Sequence, residues 1–289
     1  MEQVRKSNSI AILMATYNGE RYIKEQLDSV ARQTHRDWHL YIHDDGSTDQ
    51  TPAIIHTFAR QHPNVTILDY ESQKGAKDNF LSMLQRVEAD HYIFADQDDV
   101  WHEQKVELSW KAMQQLESEH PGLPLIVHTD LYVTDASLNI VKESFWEASN
   151  IHPSLLTRFH DLAATTPATG SAMLFNHKAK EATIIPAPLA TMHDAWVTAC
   201  VLSQGGLIHS IPQPLVYYRQ HESNVLGASD ASRITWGYRL RHFKEMQRQN
   251  RVHYKMLQAL GYGSIARYYF HKVKYKIGTR RLSHNTTQH

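Results

Sequence analysis

The first half of the chain alternates between two hydrophobic periods. Ile10 to Thr16 (IAILMAT) is an unbroken apolar run, the pattern of a strand buried on both faces. Glu20 to Gln33 then carries Tyr22, Ile23, Leu27 and Val30 at helical spacing. Trp38 to His43 returns to a strand pattern. Asp49 stands where it can cap a helix through Phe58, with Pro52 in the first turn. Val65 to Leu68 reads as a short strand and Ala76 to Val87 as a helix. His91 to Ala95 is a strand that runs into a dense acidic cluster. This alternation predicts an α/β fold: a Rossmann-like, mostly parallel sheet flanked by helices.

The second half is less regular. Lys105 to Ser118 has a helical pattern and Leu125 to Thr129 a strand pattern. Ser171 to Phe175 is a candidate strand, followed by helices near Lys178 to Thr183 and Asp194 to Ser203. Leu207 to Ile211 and Leu215 to Tyr218 read as two short strands. From Arg233 onward the pattern is two helices, broken near Gly261 and Gly263.

In an open α/β sheet, ligands bind beyond the carboxyl ends of the strands. The residues placed there are Ala15-Thr16-Tyr17-Asn18-Gly19, Asp44-Asp45-Gly46-Ser47-Thr48-Asp49 and Asp96-Gln97-Asp98-Asp99. Three carboxylates within the four residues Asp96 to Asp99 repel one another unless a cation neutralises them. Hard divalent ions prefer oxygen ligands and often bridge carboxylates to substrate phosphates, which makes Mg²⁺ or Mn²⁺ the expected cofactor. A solvated acidic turn with a helix cap is the plainer explanation of Asp-x-Asp taken alone. For Asp44-Asp45, a turn and cap explain part of the segment, and acceptance of a pyrimidine N3–H explains the rest.

Composition changes this picture in one respect. The chain has 289 residues, 42% hydrophobic and 21% charged, which suits a folded globular protein. Its 30 basic and 30 acidic residues balance, but 13 of the bases and a single acid, Glu245, fall within residues 233–289. That basic stretch mixes aromatic residues with Lys and Arg, as in ITWGYRLRHFKEM and IARYYFHKVKYK. Such helices suit an anionic membrane surface, or they pack their aromatics on the rest of the chain. No nucleic-acid module accompanies the charge, so nucleic acid is not an expected partner. No apolar stretch reaches a membrane-spanning length, and MEQVRKSNS has no signal-peptide core. The lone Cys200 lies in an apolar helical stretch and reads as core. These features predict a cytoplasmic protein, peripheral on the inner face of the cell membrane.

The segments ATYNGERYIKEQLDSVARQT, DDGSTD, KGAKDNF, ADQDDVW, the pair Thr169-Gly170, HDAWV and YRQHESN occur in order between about residues 10 and 225. Together they resemble the inverting family-2 glycosyltransferases of GT-A fold. DQDDVW and HDAW resemble most closely the bacterial rhamnosyltransferases that build surface polysaccharide such as O-antigen. The resemblance implies a catalytic GT-A domain over residues 1–232 and a basic helical extension over 233–289. It implies a donor site formed by Thr16, Tyr17, Asn18, Asp44, Asp45, Lys77, Asp96 and Gln97. Asp98 is the implied metal ligand, with Asp99 competing for that role and His221 completing the site. Asp194 is the implied general base. Gly170, His193 and Trp196 fall on the acceptor side, Gly170 letting sugar approach the backbone. Many relatives have Glu-Asp where this chain has His193-Asp194, which leaves the role of His193 open.

The implied reaction moves a sugar from a UDP or dTDP donor to a hydroxyl of a glycan or lipid-linked oligosaccharide, with inversion at the anomeric carbon. Two other functions compete. A nucleotidyltransferase shares the sheet and acidic site, but wants a glycine-rich phosphate loop where ATYNGERY supplies one glycine. A non-catalytic sugar-nucleotide or polysaccharide-binding protein has no need for Asp98, Asp194 and His221 together.

Overall fold

The computed structural model describes residues 10–73, 75–221 and 243–286. Four parallel strands form one half of its sheet, in the order β3-β2-β1-β4. They are β1 (Ile10–Thr16), β2 (Trp38–Asp44), β3 (Val65–Ile67) and β4 (His91–Asp96). Helices α1 (Ile23–Ala31), α2 (Thr51–Gln61) and α3 (Ala76–Arg86) make the connections. The unbroken apolar run of β1 follows from cover on both sheet faces. Ile12 and Met14 pack in one cluster with Ile23 and Leu27, while Ala11 and Leu13 pack in another with Phe80 and Leu84.

Beyond β4 the sheet becomes mixed. β8 (Met173–Asn176) runs antiparallel to β4 and to β6 (Leu125–Thr134). β9 (Leu207–Arg219) pairs parallel with β6, and the two-residue β5 (Val100–Trp101) closes the edge antiparallel to β9. A short β7 (Ile140–Lys142) pairs with β6. The sequence reads β9 as two strands because Pro212 and Pro214 interrupt it. The structure keeps one strand by shifting register: Thr129 faces Ile211, and the next residue, Asp130, faces Pro214. A bulge accommodates residues that cannot donate to a ladder.

Helices α4 (Lys105–Glu119), α5 (Phe145–Ala148), α6 (His177–Ala182) and α7 (His193–Ser203) complete the central part. Helix α7 is buried on nearly every side. Val197 and Val201 face the sheet, and Ala195, Trp196, Ala199 and Cys200 face outward from it. Burial pushes the Cys200 thiol up to about 11, in keeping with a core position.

The cover over α7 comes from the basic tail. Helices α8 (Phe243–Ala259) and α9 (Ile265–Thr286) meet at Gly261 and Gly263, whose φ values of 87° and 93° suit glycine. Met256, Leu257, Tyr262 and Tyr268 join Trp196, Cys200 and Leu162 in one buried cluster. Burying Met256, Leu257 or Leu162 contributes about 1.5–3 kcal/mol each. The described part of the tail therefore shares a core with α7. Residues 233–242 and 287–289 of the expected extension lie outside the described residues, as do residues 222–224 of the YRQHESN segment.

Candidate active site

The strand registers bring the three loop segments together. Thr16 faces Asp44 across β1 and β2, and Ala15 faces Asp96 across β1 and β4. Beyond those ends lies a cleft of about 430 Å³, within the roughly 300–1,000 Å³ of small-molecule sites. Asp96, Asp98 and Asp194 all line it. Asp96 and Asp98 come from the turn after β4. Asp194 comes from the first turn of α7, where the helix dipole favours a negative charge.

Each carboxylate of the turn after β4 has a different setting. Oδ2 of Asp98 lies 2.8 Å from Nε2 of His221. Asp96 opens to the cleft. Burial, then the charges of Asp98 and Asp194, push its pKa up to about 8. Asp99 differs from the expectation of a competing metal ligand. It is wholly buried and turned away from the cleft, with Oδ1 accepting a 3.3 Å hydrogen bond from the Arg219 N–H. Burial, followed by Asp98 and Asp96, holds its pKa well above the usual carboxylate range. Lys105, also fully buried, is pushed down to about 7 by desolvation against the pull of Asp99. Both shifts favour uncharged forms behind the cleft.

Asp194 is fixed at both oxygens. Oδ2 accepts from the Gly170 N–H at 3.0 Å, and Oδ1 accepts from the Ala195 N–H at 2.6 Å. An ionised carboxylate oxygen can accept more than one hydrogen bond, so these contacts orient the group without saturating it.

Of the acceptor-side residues, Gly170 and His193 line the cleft beside Asp194. A Cβ on Gly170 would sit 2.6 Å from His193 Nε2. The His193 ring by itself thus calls for a glycine at this position. That ring lies 4.1 Å from the Phe80 ring and edge-on to Phe94 at 4.7 Å. Among the described residues, neither of its nitrogens has a hydrogen-bond partner, and burial lowers its pKa. Trp196 is not at the cleft. It is 4% exposed, packs under the tail, and donates from Nε1 to the Ile184 carbonyl at 2.8 Å.

Several residues expected at the donor site hold its loops together. Thr16 Oγ1 donates to Asp44 Oδ1 at 2.8 Å, and Ser47 donates to both Asp44 oxygens. Asp45 accepts from Ser72 Oγ and from the Gln73 and Gly75 N–H groups, at 2.6 to 2.7 Å. Its carboxylate is committed to the segment before α3, which weakens its expected role as a base acceptor. Asn18, at φ 46°, receives a 2.9 Å bond from the Thr48 N–H. Gln97 accepts from Tyr17 N–H at 2.8 Å and donates to Tyr17 O at 2.9 Å. It also occupies the space a Cβ on Gly19 would need. Gln97 is therefore a brace between two loops. Tyr17 is 57% exposed, and Lys77 lies 3.2 Å from Asp78 in the first turn of α3.

A divalent cation can be tested against these residues. No group of three or more His, Cys, Asp or Glu arranged to hold a metal occurs among the described residues. The Asp98–His221 pair still fits an ion of the Mg²⁺ or Mn²⁺ type, which takes few protein ligands and completes its shell with phosphate oxygens and water.

A family model described as "Glycosyl transferase family 2" matches residues 11–167, more than half of the chain. The chain belongs to that family. Over 98 residues this family-2 chain is 39% identical to the dTDP-rhamnosyl transferase RfbG of Shigella flexneri, covering 32% of the chain and 34% of RfbG. It is 31% identical over 104 residues to the UDP-Glc:alpha-D-GlcNAc-diphosphoundecaprenol beta-1,3-glucosyltransferase WfgD of Escherichia coli, covering 36% and 40%. These matches thus span only about a third to two fifths of those relatives. A mannosyltransferase from Pyrobaculum calidifontis, solved with GDP-Man and Mn²⁺, superposes with a TM-score of 0.56 at 16% identity. That match covers 94% of the chain and 83% of the mannosyltransferase, and establishes a shared fold.

Two members of this family-2 site escape a sequence reading. Arg219 is 2% exposed and donates from Nε to the Asp98 carbonyl at 2.8 Å; it also pairs with Glu25 and lies 4.4 Å over the Tyr22 ring. The arginine clamps the turn after β4 from behind. Its position two residues before His221 was the available signal. His253, from α8, lines the same cleft as Asp194, and its Nδ1 lies 3.1 Å from the Tyr268 hydroxyl. Nothing in the sequence connects it to the site.

Proposed function

We propose that the chain is an inverting, metal-dependent glycosyltransferase acting on a nucleoside diphosphate sugar. Its acceptor is a hydroxyl of a growing, lipid-linked surface glycan. The observation that carries this reading is the shared cleft: Asp98 with His221 on one element set, Asp194 on another, one cavity between them. Family membership supports glycosyl transfer over nucleotidyl transfer or binding alone.

In this reading the acceptor oxygen bonds to the anomeric carbon as the bond from that carbon to the diphosphate oxygen breaks. Asp194 takes the acceptor proton, and the nucleoside diphosphate departs with the bonding electrons. Asp98 and His221 would hold a divalent cation, which would supply positive charge to offset the negative charge growing on the departing phosphate. Gly170 keeps the Asp194 carboxylate aimed through its N–H. The loop ends at Thr16, Tyr17, Asn18, Asp44 and Lys77 form the nucleotide side, and Asp96 faces the donor between them. His253 and Tyr218, which line the cleft, belong to the acceptor side.

The similarity to RfbG supports a dTDP donor and rhamnose as the sugar. The similarity to WfgD supports a lipid diphosphate acceptor and leaves UDP as the competing donor. Among the described residues no helix is long and apolar enough to cross a membrane. In this reading the chain meets its lipid-linked acceptor by peripheral contact with the inner membrane surface. The test is slow donor hydrolysis by the purified chain with UDP- and dTDP-sugars and Mn²⁺ or Mg²⁺. The reading predicts turnover that chelation abolishes; no hydrolysis or transfer of any such donor overturns it.

A further inference from the structure

Helix α9 is apolar on two opposite faces. Its inner face carries Tyr268 and Thr279, buried against the body of the protein. Its outer face carries Ala266, Phe270, Val273 and Ile277, spaced by four, three and four residues. Phe270 is 64% exposed, Val273 57% and Ile277 48%. A helix whose work ended at the core would not place its phenylalanine at the centre of its outward face.

Charge frames that stripe. Arg267, Lys274 and Arg281 recur every seven residues along one side, and Lys276 and Arg280 lie along the other. Helix α9 contains no acidic residue. A groove of about 530 Å³ continues the basic side, running between α9 and residues 154–161. Leu155, Phe270 and Ile277 give it apolar walls, and Arg158, Lys274 and Arg281 bring positive charge. Asp161 also lines it, with His271 Nδ1 3.8 Å away.

We propose that the outer face of α9 docks on an anionic bilayer. Phe270, Val273 and Ile277 enter the boundary between headgroups and acyl chains, and the flanking Arg and Lys side chains meet lipid phosphates. A second copy of the chain is a poorer occupant, because it would set two all-basic helices against each other. The inner side of the same helix reaches the cleft wall through Tyr268 and His253. Docking therefore sets the α8 side of the cleft one helix layer from the bilayer. This deepens the lipid-linked-acceptor reading and rests on it for its purpose, though not for its physics.

The test is flotation of the full chain with vesicles of phosphatidylcholine alone or doped with phosphatidylglycerol, without nucleotide or acceptor. The chain is expected to float with the anionic vesicles and to detach in high salt. The triple variant Phe270→Ser, Val273→Ser, Ile277→Ser should lose partitioning on the order of 100-fold, since each side chain forfeits its burial in lipid. Lys274→Glu with Arg281→Glu should weaken anionic binding on the order of tenfold. Donor hydrolysis by both variants should match the parent chain, which shows that they fold. Equal flotation of parent and triple variant overturns the proposal. So does failure of the parent to bind anionic vesicles, or a parent dimer in light scattering that the triple variant converts to monomer. Because flotation needs no sugar nucleotide, a chain that floats but transfers nothing refutes the proposed function and leaves the docking intact.

Discussion

Nε2 of His221 lies 2.8 Å from Oδ2 of Asp98, although 123 residues separate them in the chain. The contact closes the far end of β9 onto the turn after β4, with Arg219 holding the same turn from its buried side. A cation bound here has one oxygen and one nitrogen ligand ready, and the turn cannot drift away from either. His221→Ala should raise the Mn²⁺ concentration needed for half-maximal donor hydrolysis by at least about tenfold. Asp98→Ala should abolish metal-dependent turnover. Full activity of Asp98→Ala at low Mn²⁺ would refute the metal assignment.

Asp194→Asn keeps a carbonyl oxygen for the Gly170 N–H but loses the proton acceptor. Transfer should fall about 10²–10⁴-fold, the usual contribution of a positioned general base. Donor affinity should stay within a factor of two or three of the parent, a change of about 0.5 kcal/mol. Isothermal titration with the nucleoside diphosphate, beside a transfer assay, separates the two effects. Normal transfer would move the base elsewhere.

Gly170→Ala forces a methyl group to within 2.6 Å of His193 Nε2. The ring is held between Phe80 and Phe94 and has little room to move. Overpacking of this kind costs about 1–3 kcal/mol. The double variant Gly170→Ala, His193→Ala should recover part of that loss relative to the sum of the single changes. Urea unfolding of the four proteins measures the coupling, and strict additivity would remove the ring as the reason for the glycine.

Acid should destabilise the fold through buried histidines. Burial, and then His209, lower the His128 pKa to about 3; burial, and then Lys272, lower that of His253 to about 4. Each is neutral in the folded chain and protonates when unfolded. The unfolded state thus binds more protons between the folded values and about 6.5, and stability falls as pH drops through that window. His128 is 1% exposed and lies beside Trp146 with ring centroids 5.2 Å apart. His128→Phe should shrink the stability difference between pH 7 and pH 5 by about 2 kcal/mol, read from urea midpoints at both pH values.

The parallel half of the sheet was legible from periodicity, because β1 to β4 bury local apolar runs under their own connecting helices. The helix break at Gly261 and Gly263 was legible for a similar reason: two glycines interrupt a helical pattern. The two-residue β5 carries too short a pattern to register, and the strand through Pro212 and Pro214 depends on a bulge in its pairing with β6. Motif order pointed to Asp96, Asp98 and Asp194, which line one cleft, and to His221, which meets Asp98. Roles set by long-range contact were not readable. Gln97 matters because Tyr17 and Gly19 fold against it, Asp45 because Ser72, Gln73 and Gly75 donate to it, and Asp99 because its side chain turns inward. Trp196 sits beside Asp194 in sequence, yet the helix period sends the two side chains to different surroundings.

The cluster joining Trp196 and Cys200 to Leu257, Tyr262 and Tyr268 has a genetic implication. A premature stop codon after Ala259 would delete Tyr262 and Tyr268 and bare the back of α7, the element that bears Asp194. The shortened product would be a substrate for cellular proteolysis before it could be a slower enzyme. Late frameshifts in this gene should therefore behave as complete loss-of-function alleles.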